Sequence, residues 1–203
     1  MILFLIFFLF VFVLPKFWLS NAMKKNDEEL VNMPFTAEEF GQIILEENNL
    51  SDVKIEETEQ VDHYDLHDKT VRVQQGRLAK KSLTSLTIIC HEIGHAIQHK
   101  EEYGPLVRRT SLVERTQWIS KFGGVILYSG LPLILATGSF GLIKVCLLLV
   151  LISVLLGVFI HLITLDVEID ASFNRAMPIL EEKIPTEYHS QCKNVLQAAA
   201  YTY

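Results

Sequence analysis

Hydrophobic residues are concentrated in two blocks of the chain, one at the N-terminus and a longer one in the second half. Residues 1–14 contain no polar side chain, and residues 125–165 contain one charged side chain, that of Lys144. A helix that crosses a bilayer needs about 20 predominantly apolar residues. The two blocks therefore predict membrane segments, whereas the mixed and charged sequence between them predicts a small folded domain.

The second block predicts a transmembrane helical hairpin over 118–165. Residues 142–165 are long enough to span a bilayer. Residues 123–137 form a shorter apolar run, which Trp118 extends to the interface. A turn of small residues separates the two runs, as expected where two antiparallel helices meet.

The first block predicts an uncleaved membrane anchor over residues 1–22. A cleaved signal peptide begins with positive charge, but here no Lys or Arg precedes the apolar run and the first basic residue, Lys16, follows it. The long side chain of Lys16 can reach the interface while the next apolar residues complete the span. The alternative is a soluble secreted protein with a cleaved signal, in which the hairpin would be a buried core pair.

Basic residues predict how the membrane segments are oriented. Arg108, Arg109 and Arg115 precede the hairpin and Arg175 follows it, whereas Lys144 alone lies near its tip. By the positive-inside rule, the regions on both sides of the hairpin are cytoplasmic. Since a hairpin returns the chain to the side it left, the segment after residue 165 can meet the domain that precedes the hairpin.

The region between the blocks predicts helix and strand. Thr36 and Glu39 have the spacing of a capping box, which predicts a helix that runs to about Asn48. Its expected apolar stripe consists of Phe40, Ile43, Ile44 and either Phe35 or Leu45. Residues 53–56 and 70–73 alternate like strands, and the intervening segment 62–69 is predicted to be a hairpin loop.

The sequence His91-Glu92-Ile93-Gly94-His95 lies in a stretch with helical apolar spacing, for which Ser82 is a plausible N-cap. Two histidines four positions apart lie on one helix face, so both imidazoles can hold one Zn²⁺ while Glu92 acts as a base for water. Gly94 is unfavourable inside a helix, and we interpret it as leaving room near the metal. Two surface histidines beside a tolerated glycine are the alternative.

A catalytic zinc usually has three protein ligands and an open position for water, so a third ligand is needed. The segment after residue 165 offers three carboxylates, those of Asp166, Glu168 and Asp170. On a helix, Glu168 faces away from the other two. Its longer side chain favours Glu168 over Asp170, but spacing alone leaves both possible.

The chain resembles the YugP-like family of membrane-bound zinc metallopeptidases. The matching stretches are 35–39, 62–65, 91–98, 103–106 and 167–172. In the wider relatives of that family, a glutamate after the hairpin is the third zinc ligand and begins a Glu-x-x-Ala-Asp pattern. Glu168 and Ala171 match that pattern, but Ser172 replaces the aspartate. The side chain that supports a zinc histidine in place of that aspartate is therefore left open, and Asp170 and Asp65 are the alternatives.

The expected fold class is α+β, in a mainly helical membrane protein. It comprises an N-terminal anchor (1–22), a small cytoplasmic zincin-like α+β catalytic region (34–117), the transmembrane hairpin (118–165) and a cytoplasmic helical segment with the third ligand (166–203). The three cysteines are scattered, so they predict neither disulfides nor a cysteine zinc site.

The expected function is hydrolysis of peptide bonds in peptides or membrane proteins at the cell membrane. His91, His95 and Glu168 are the expected Zn²⁺ ligands, and Glu92 the catalytic base. The net charge of -6 gives no indication of nucleic-acid binding. The alternative is a catalytically inactive membrane adaptor that retains the metal-binding helix.

Overall fold

The computed structural model describes residues 17–125, 130, 132 and 139–201. Most of the predicted anchor and most of the first leg of the predicted hairpin lie outside the described residues. The chain divides into two units, one formed by Met1–Tyr103 with Val167–Tyr203 and the other by Gly104–Asp166. The first unit contains the predicted metal-binding residues.

Helices account for most of the described residues. After a helical stretch at 17–25, the helices are α1 (Ala37–Glu47), α2 (Leu83–Lys100), α3 (Gly104–Val125), α4 (Phe140–Ile169), α5 (Met177–Lys183) and α6 (His189–Ala200). A π-helical segment, Asp170–Ala176, joins α4 to α5, and a 3₁₀ turn, Thr186–Tyr188, precedes α6. The strands are β1 (Lys54–Thr58), β2 (His63–Asp65) and β3 (Thr70–Gln74).

The three strands form one sheet in the order β1-β3-β2. β1 pairs with β3 in parallel, whereas β2 pairs with β3 in antiparallel fashion. The prediction that 62–69 is a hairpin loop between the first and last strands was therefore wrong. Parallel strands cannot be joined by a tight hairpin, and part of that segment is itself the edge strand β2.

Helix α1 begins with the predicted capping box. The Thr36 hydroxyl accepts from the Glu39 amide at 3.3 Å, and the Glu39 carboxylate accepts from the Thr36 amide at 2.8 Å. Phe40 and Ile44 are buried as expected, but Ile43 is 38% exposed. The buried residues of α1 also include Ala37, Gly41 and Leu45, which at about 100° per residue lie on the side of the helix away from Ile43. The assignment of Ile43 to the apolar stripe was therefore wrong.

Helix α2 is the central element of the first unit. Every residue from Leu83 to Gln98 is buried, because α1, α6, the sheet and the π-helical segment all pack against it. The Ser82 side chain caps its N-terminus by accepting from the Ser85 amide at 3.2 Å, as predicted. Because other elements surround this helix, its two histidines and its glutamate lie in the interior of the unit.

Among the described residues, one continuous helix, Phe140–Lys183, contains a stretch long and apolar enough to cross a membrane. Many of its large apolar side chains, such as Leu148, Leu155 and Phe159, are more than half exposed. An extended exposed apolar surface of this kind indicates contact with lipid or another protein.

Candidate metal centre

The two histidines of the motif lie on one face of α2, as their spacing predicts. His91 is 5% exposed and His95 is 8% exposed. Their ring centroids are 4.8 Å apart, and the rings are nearly perpendicular. Two buried imidazoles in this arrangement can each direct one nitrogen at the same point. The alternative of two surface histidines is therefore wrong.

The structure brings Glu168, from the last turn of α4, to both histidines. Its Oε2 atom lies 3.3 Å from His91 Nε2 and 3.4 Å from His95 Nε2. The candidate ligand atoms of the three residues all lie within 4.8 Å of one another. Two imidazole nitrogens and one carboxylate oxygen are a donor set that Zn²⁺ uses in catalytic sites, so these residues fit zinc.

Asp170, the alternative third ligand, is engaged elsewhere. Its carboxylate accepts from Gln98 Nε2 at 2.8 Å, from Asn174 Nδ2 at 2.8 Å and from Arg175 Nε at 3.2 Å. Burial opposes its ionisation, but hydrogen bonds from Asn174 and Gln98 and the charge of Arg175 hold the pKa of Asp170 below its usual range. Asp166 is exposed. The Glu168 side chain therefore points away from those of Asp166 and Asp170, as predicted.

His95 and Glu168 shift each other's pKa. Burial disfavours the charged form of both, but the charge and hydrogen bond of Glu168 outweigh it and raise the pKa of His95 to about 9. Against the same burial, the charge of His95 and hydrogen bonds from His91 and His95 hold the pKa of Glu168 below its usual range. Without a metal, the site is therefore a buried ion pair.

Glu92 is buried beside the ligands, three residues before His95 on the same helix. Desolvation raises the pKa of its carboxyl group above the usual range; His91 and His95 act in the opposite direction, and the negative charges of Glu168 and Asp62 add to the rise. A carboxyl group with a raised pKa close to two metal-binding groups is suited to accept and return a proton.

The second nitrogen of each histidine has a partner from a different element. Ser172 Oγ lies 3.1 Å from His91 Nδ1, and Gln98 Oε1 lies 2.9 Å from His95 Nδ1. Ser172, which replaces the aspartate of the Glu-x-x-Ala-Asp pattern, is therefore the side chain that contacts His91. Asp65 is not involved, because it forms an ion pair with Arg72.

The contact of Gln98 with His95 was not predicted from the sequence. It lies three residues after His95, at a helical spacing that places the two side chains next to each other. That spacing was the available signal, but glutamine at such a position is common and carries no chemistry of its own.

Gly94 has a different explanation from the one that the sequence indicated. A Cβ atom at Gly94 would lie 2.7 Å from the backbone oxygen of Ala171 and 3.4 Å from Arg175 Cβ. The glycine therefore permits close approach of the π-helical segment that follows Glu168. The interpretation that Gly94 leaves room for the metal was wrong, because the space is occupied by the backbone of Ala171.

The remaining polar residues near α2 are held by other contacts. Tyr64 OH lies 3.0 Å from His99 Nδ1, and His99 is half-buried. His63 Nδ1 donates to the Val61 carbonyl at 2.8 Å. The Tyr103 ring packs against the Arg175 guanidinium, 5.9 Å from the ring centroid.

Zinc metallopeptidases with a His₂Glu site have two histidines four residues apart on one helix, a glutamate beside the first histidine and a second glutamate from a later helix. The arrangement of His91, Glu92, His95 and Glu168 fits that class. The comparison with known families agrees. The chain belongs to the family described as "Putative neutral zinc metallopeptidase", whose model matches residues 1–203.

One curated relative is the "Putative membrane protease YugP" of Bacillus subtilis (strain 168). It is 32% identical over 194 residues, which cover 92% of this chain and 83% of the relative. No solved structure matches the chain. Family membership implies zinc as the cofactor and confirms the resemblance that the sequence motifs indicated.

Proposed function

We propose that this chain is a membrane-bound zinc peptidase that hydrolyses peptide bonds, with His91, His95 and Glu168 as zinc ligands and Glu92 as the general base. The observation that carries the proposal is the convergence of the two imidazoles and the Glu168 carboxylate within 4.8 Å in the interior. The buried Glu168 carboxylate is costly to retain without a positive partner for its charge, and membership of a zinc peptidase family supports a zinc ion as that partner.

The proposed mechanism assigns proton transfer to Glu92. When bound, Zn²⁺ lowers the pKa of water and polarises a carbonyl group. The Glu92 carboxylate accepts a proton from the attacking water and returns it to the amine of the leaving fragment. The carboxylate form of Glu92, which burial disfavours, is favoured by the charge of a bound dication.

The membrane topology is part of the proposal. The exposed apolar helix Phe140–Lys183 and the name of the bacterial relative support a membrane context. We extend this to a multi-pass protein with an anchor at 1–22 and a hairpin at 118–165, and with the active site on the cytoplasmic side. Glu168 follows the predicted span by three residues. Peptides and membrane proteins close to the bilayer are therefore the expected substrates.

Cleavage of unfolded casein by the detergent-solubilised protein tests the proposal. Glu92→Gln is expected to bind zinc like the wild type and to lose about 10²-fold or more of the cleavage rate, since it removes general base catalysis. His95→Ala is expected to lose both zinc and cleavage. Glu59→Gln, on an exposed residue, is the control for charge removal and is expected to retain both.

The result also separates the enzyme from the inactive adaptor. A peptidase loses cleavage on chelation and regains it when zinc is returned. An adaptor binds zinc but does not cleave casein under any metal condition. Wild-type rates in Glu92→Gln would contradict the function of Glu92 and leave the ligands to be judged by metal content.

A further inference from the structure

Gln98 connects the candidate metal site to a polar network behind it. Its side chain is fully buried, with Oε1 located 2.9 Å from His95 Nδ1. Its Nε2 group donates to Asp170 Oδ2 at 2.8 Å and to the Val167 carbonyl at 2.9 Å. One amide therefore contacts a metal-binding histidine on one side and the segment around Glu168 on the other.

These contacts determine which way the amide points. Asp170 and the Val167 carbonyl offer acceptors only, so the NH₂ group of Gln98 must face them. The amide oxygen then faces His95 Nδ1, which must carry the proton to donate to it. In the neutral imidazole, His95 Nε2 is left with its lone pair directed to the site shared with Glu168, which is the form that binds a metal.

The partner of His91 cannot impose the same choice. A hydroxyl group both donates and accepts, so Ser172 Oγ can pair with His91 Nδ1 in either tautomer. Only the amide of Gln98, held by Asp170, selects one form. The two histidines thus differ in how strictly their ring protons are placed.

Asp170 is itself held in position. Asn174 Nδ2 donates to its Oδ1 at 2.8 Å, and Arg175 Nε donates to its Oδ2 at 3.2 Å. Arg175 also forms an ion pair with Glu101 and packs against the Tyr103 ring. In a π-helix, residues five apart are joined by the backbone hydrogen bonds, and Arg175 reaches Asp170 across this spacing.

We propose that Gln98 and Asp170 are positioning residues that hold His95 in the tautomer and orientation required to bind zinc. This inference rests on the proposed function, since it concerns the same metal site. We call the chain of contacts from Asp170 through Gln98 to His95 the Gln98–Asp170 relay. Partners of this kind typically contribute 10- to 100-fold to metal affinity.

The Kd for Zn²⁺ alone, measured by competition with a fluorescent chelator, tests the relay on the full-length detergent-solubilised chain. Asp170→Leu removes the acceptor and allows the Gln98 amide to turn, so we expect the Kd to rise by about 10- to 100-fold. Gln98→Met, which keeps the length of the side chain but not its hydrogen bonds, is expected to match it. Asp170→Asn retains an acceptor oxygen and is expected to bind closer to the wild type.

The control separates positioning from stability. Leu196→Ala removes a fully buried side chain of α6 in the same unit; it is expected to lower the Tm and to leave the zinc Kd unchanged. The relay is overturned if Asp170→Leu and Gln98→Met bind Zn²⁺ like the wild type, or if Leu196→Ala weakens binding equally. A wild-type chain that binds no zinc would overturn the proposed function, and the relay with it.

Discussion

At the scale of single residues, the site combines groups whose charged forms are disfavoured by burial. His95 and Glu168 are each buried, yet each holds the other in its charged form, and the pKa of His95 rises to about 9. A zinc ion needs the imidazole without its proton at Nε2. Metal and proton therefore compete for the same nitrogen.

This competition predicts that zinc binding releases a proton. Between the ordinary pKa of about 6.5 and the raised value of about 9, the metal-free site holds a proton on His95. We expect about one proton released per zinc at pH 7.5, and progressively fewer as the pH rises through 9. Calorimetric titration with zinc in buffers of different ionisation enthalpy measures this number.

Glu92→Gln is the matched control for that titration, because it removes the neighbouring carboxyl group, whose pKa is also raised, and keeps all three ligands. Proton release is expected to persist in this variant. Release that is absent in the wild type at pH 7.5 would contradict the ion pair between His95 and Glu168.

At the scale of elements, the site depends on close contact between α2 and the π-helical segment Asp170–Ala176. The two elements approach at Gly94, where the backbone of Ala171 occupies the space that a side chain would need. The same segment carries Ser172 and Asp170, which contact His91 and Gln98. A single glycine therefore sets the distance across which both histidines are supported.

Gly94→Ala is expected to separate these two elements. The new Cβ would meet a backbone atom at 2.7 Å, and such overpacking costs about 1–3 kcal/mol. The higher helix propensity of alanine offsets about 1 kcal/mol of this cost. Because the net effect is still destabilising, we expect a lower Tm and a higher Kd for zinc. Thermal unfolding and chelator competition provide the two measurements.

Gly157→Ala is the control for this substitution. Gly157 is also helical, but a Cβ there would meet nothing within 4 Å. Its Tm is expected to equal or slightly exceed that of the wild type, because alanine has the higher helix propensity, and its zinc affinity is expected to be unchanged. If Gly94→Ala behaved in the same way, the close approach at Ala171 would not be needed for the site.

At the scale of the whole molecule, the proposed topology places Val31 and Ser139 on opposite sides of the membrane. Val31 is 96% exposed and precedes the catalytic region. Ser139 lies at the tip of the predicted hairpin. The natural cysteines, Cys90, Cys146 and Cys192, are all buried and free, so an introduced cysteine can be labelled selectively.

Labelling with a membrane-impermeant maleimide tests the orientation. Ser139→Cys is expected to react in intact spheroplasts, whereas Val31→Cys is expected to react only after the membrane is permeabilised. The unsubstituted chain, with its buried thiols, provides the background. Equal labelling of both variants before permeabilisation would contradict the hairpin or its orientation.

Short-range features were predictable from the sequence because they depend on local periodicity. The spacing of His91 and His95 puts them on one face of any α-helix, and Thr36 with Glu39 and Ser82 specify where two helices begin. The apolar run at 142–165 predicts the long exposed helix in the same way. The resemblance to a zinc peptidase family rests on the same short motifs, and the family comparison confirms it.

Only the tertiary structure could decide which distant groups meet. Spacing left Glu168 and Asp170 both possible, whereas packing of the π-helical segment on α2 brings Glu168 to the histidines and Asp170 to Gln98. The parallel pairing of β1 with β3 and the reason for Gly94 likewise depend on contacts between segments far apart in the chain. A local pattern specifies the direction of a side chain on its own element, but the identity of its partner depends on how the elements pack.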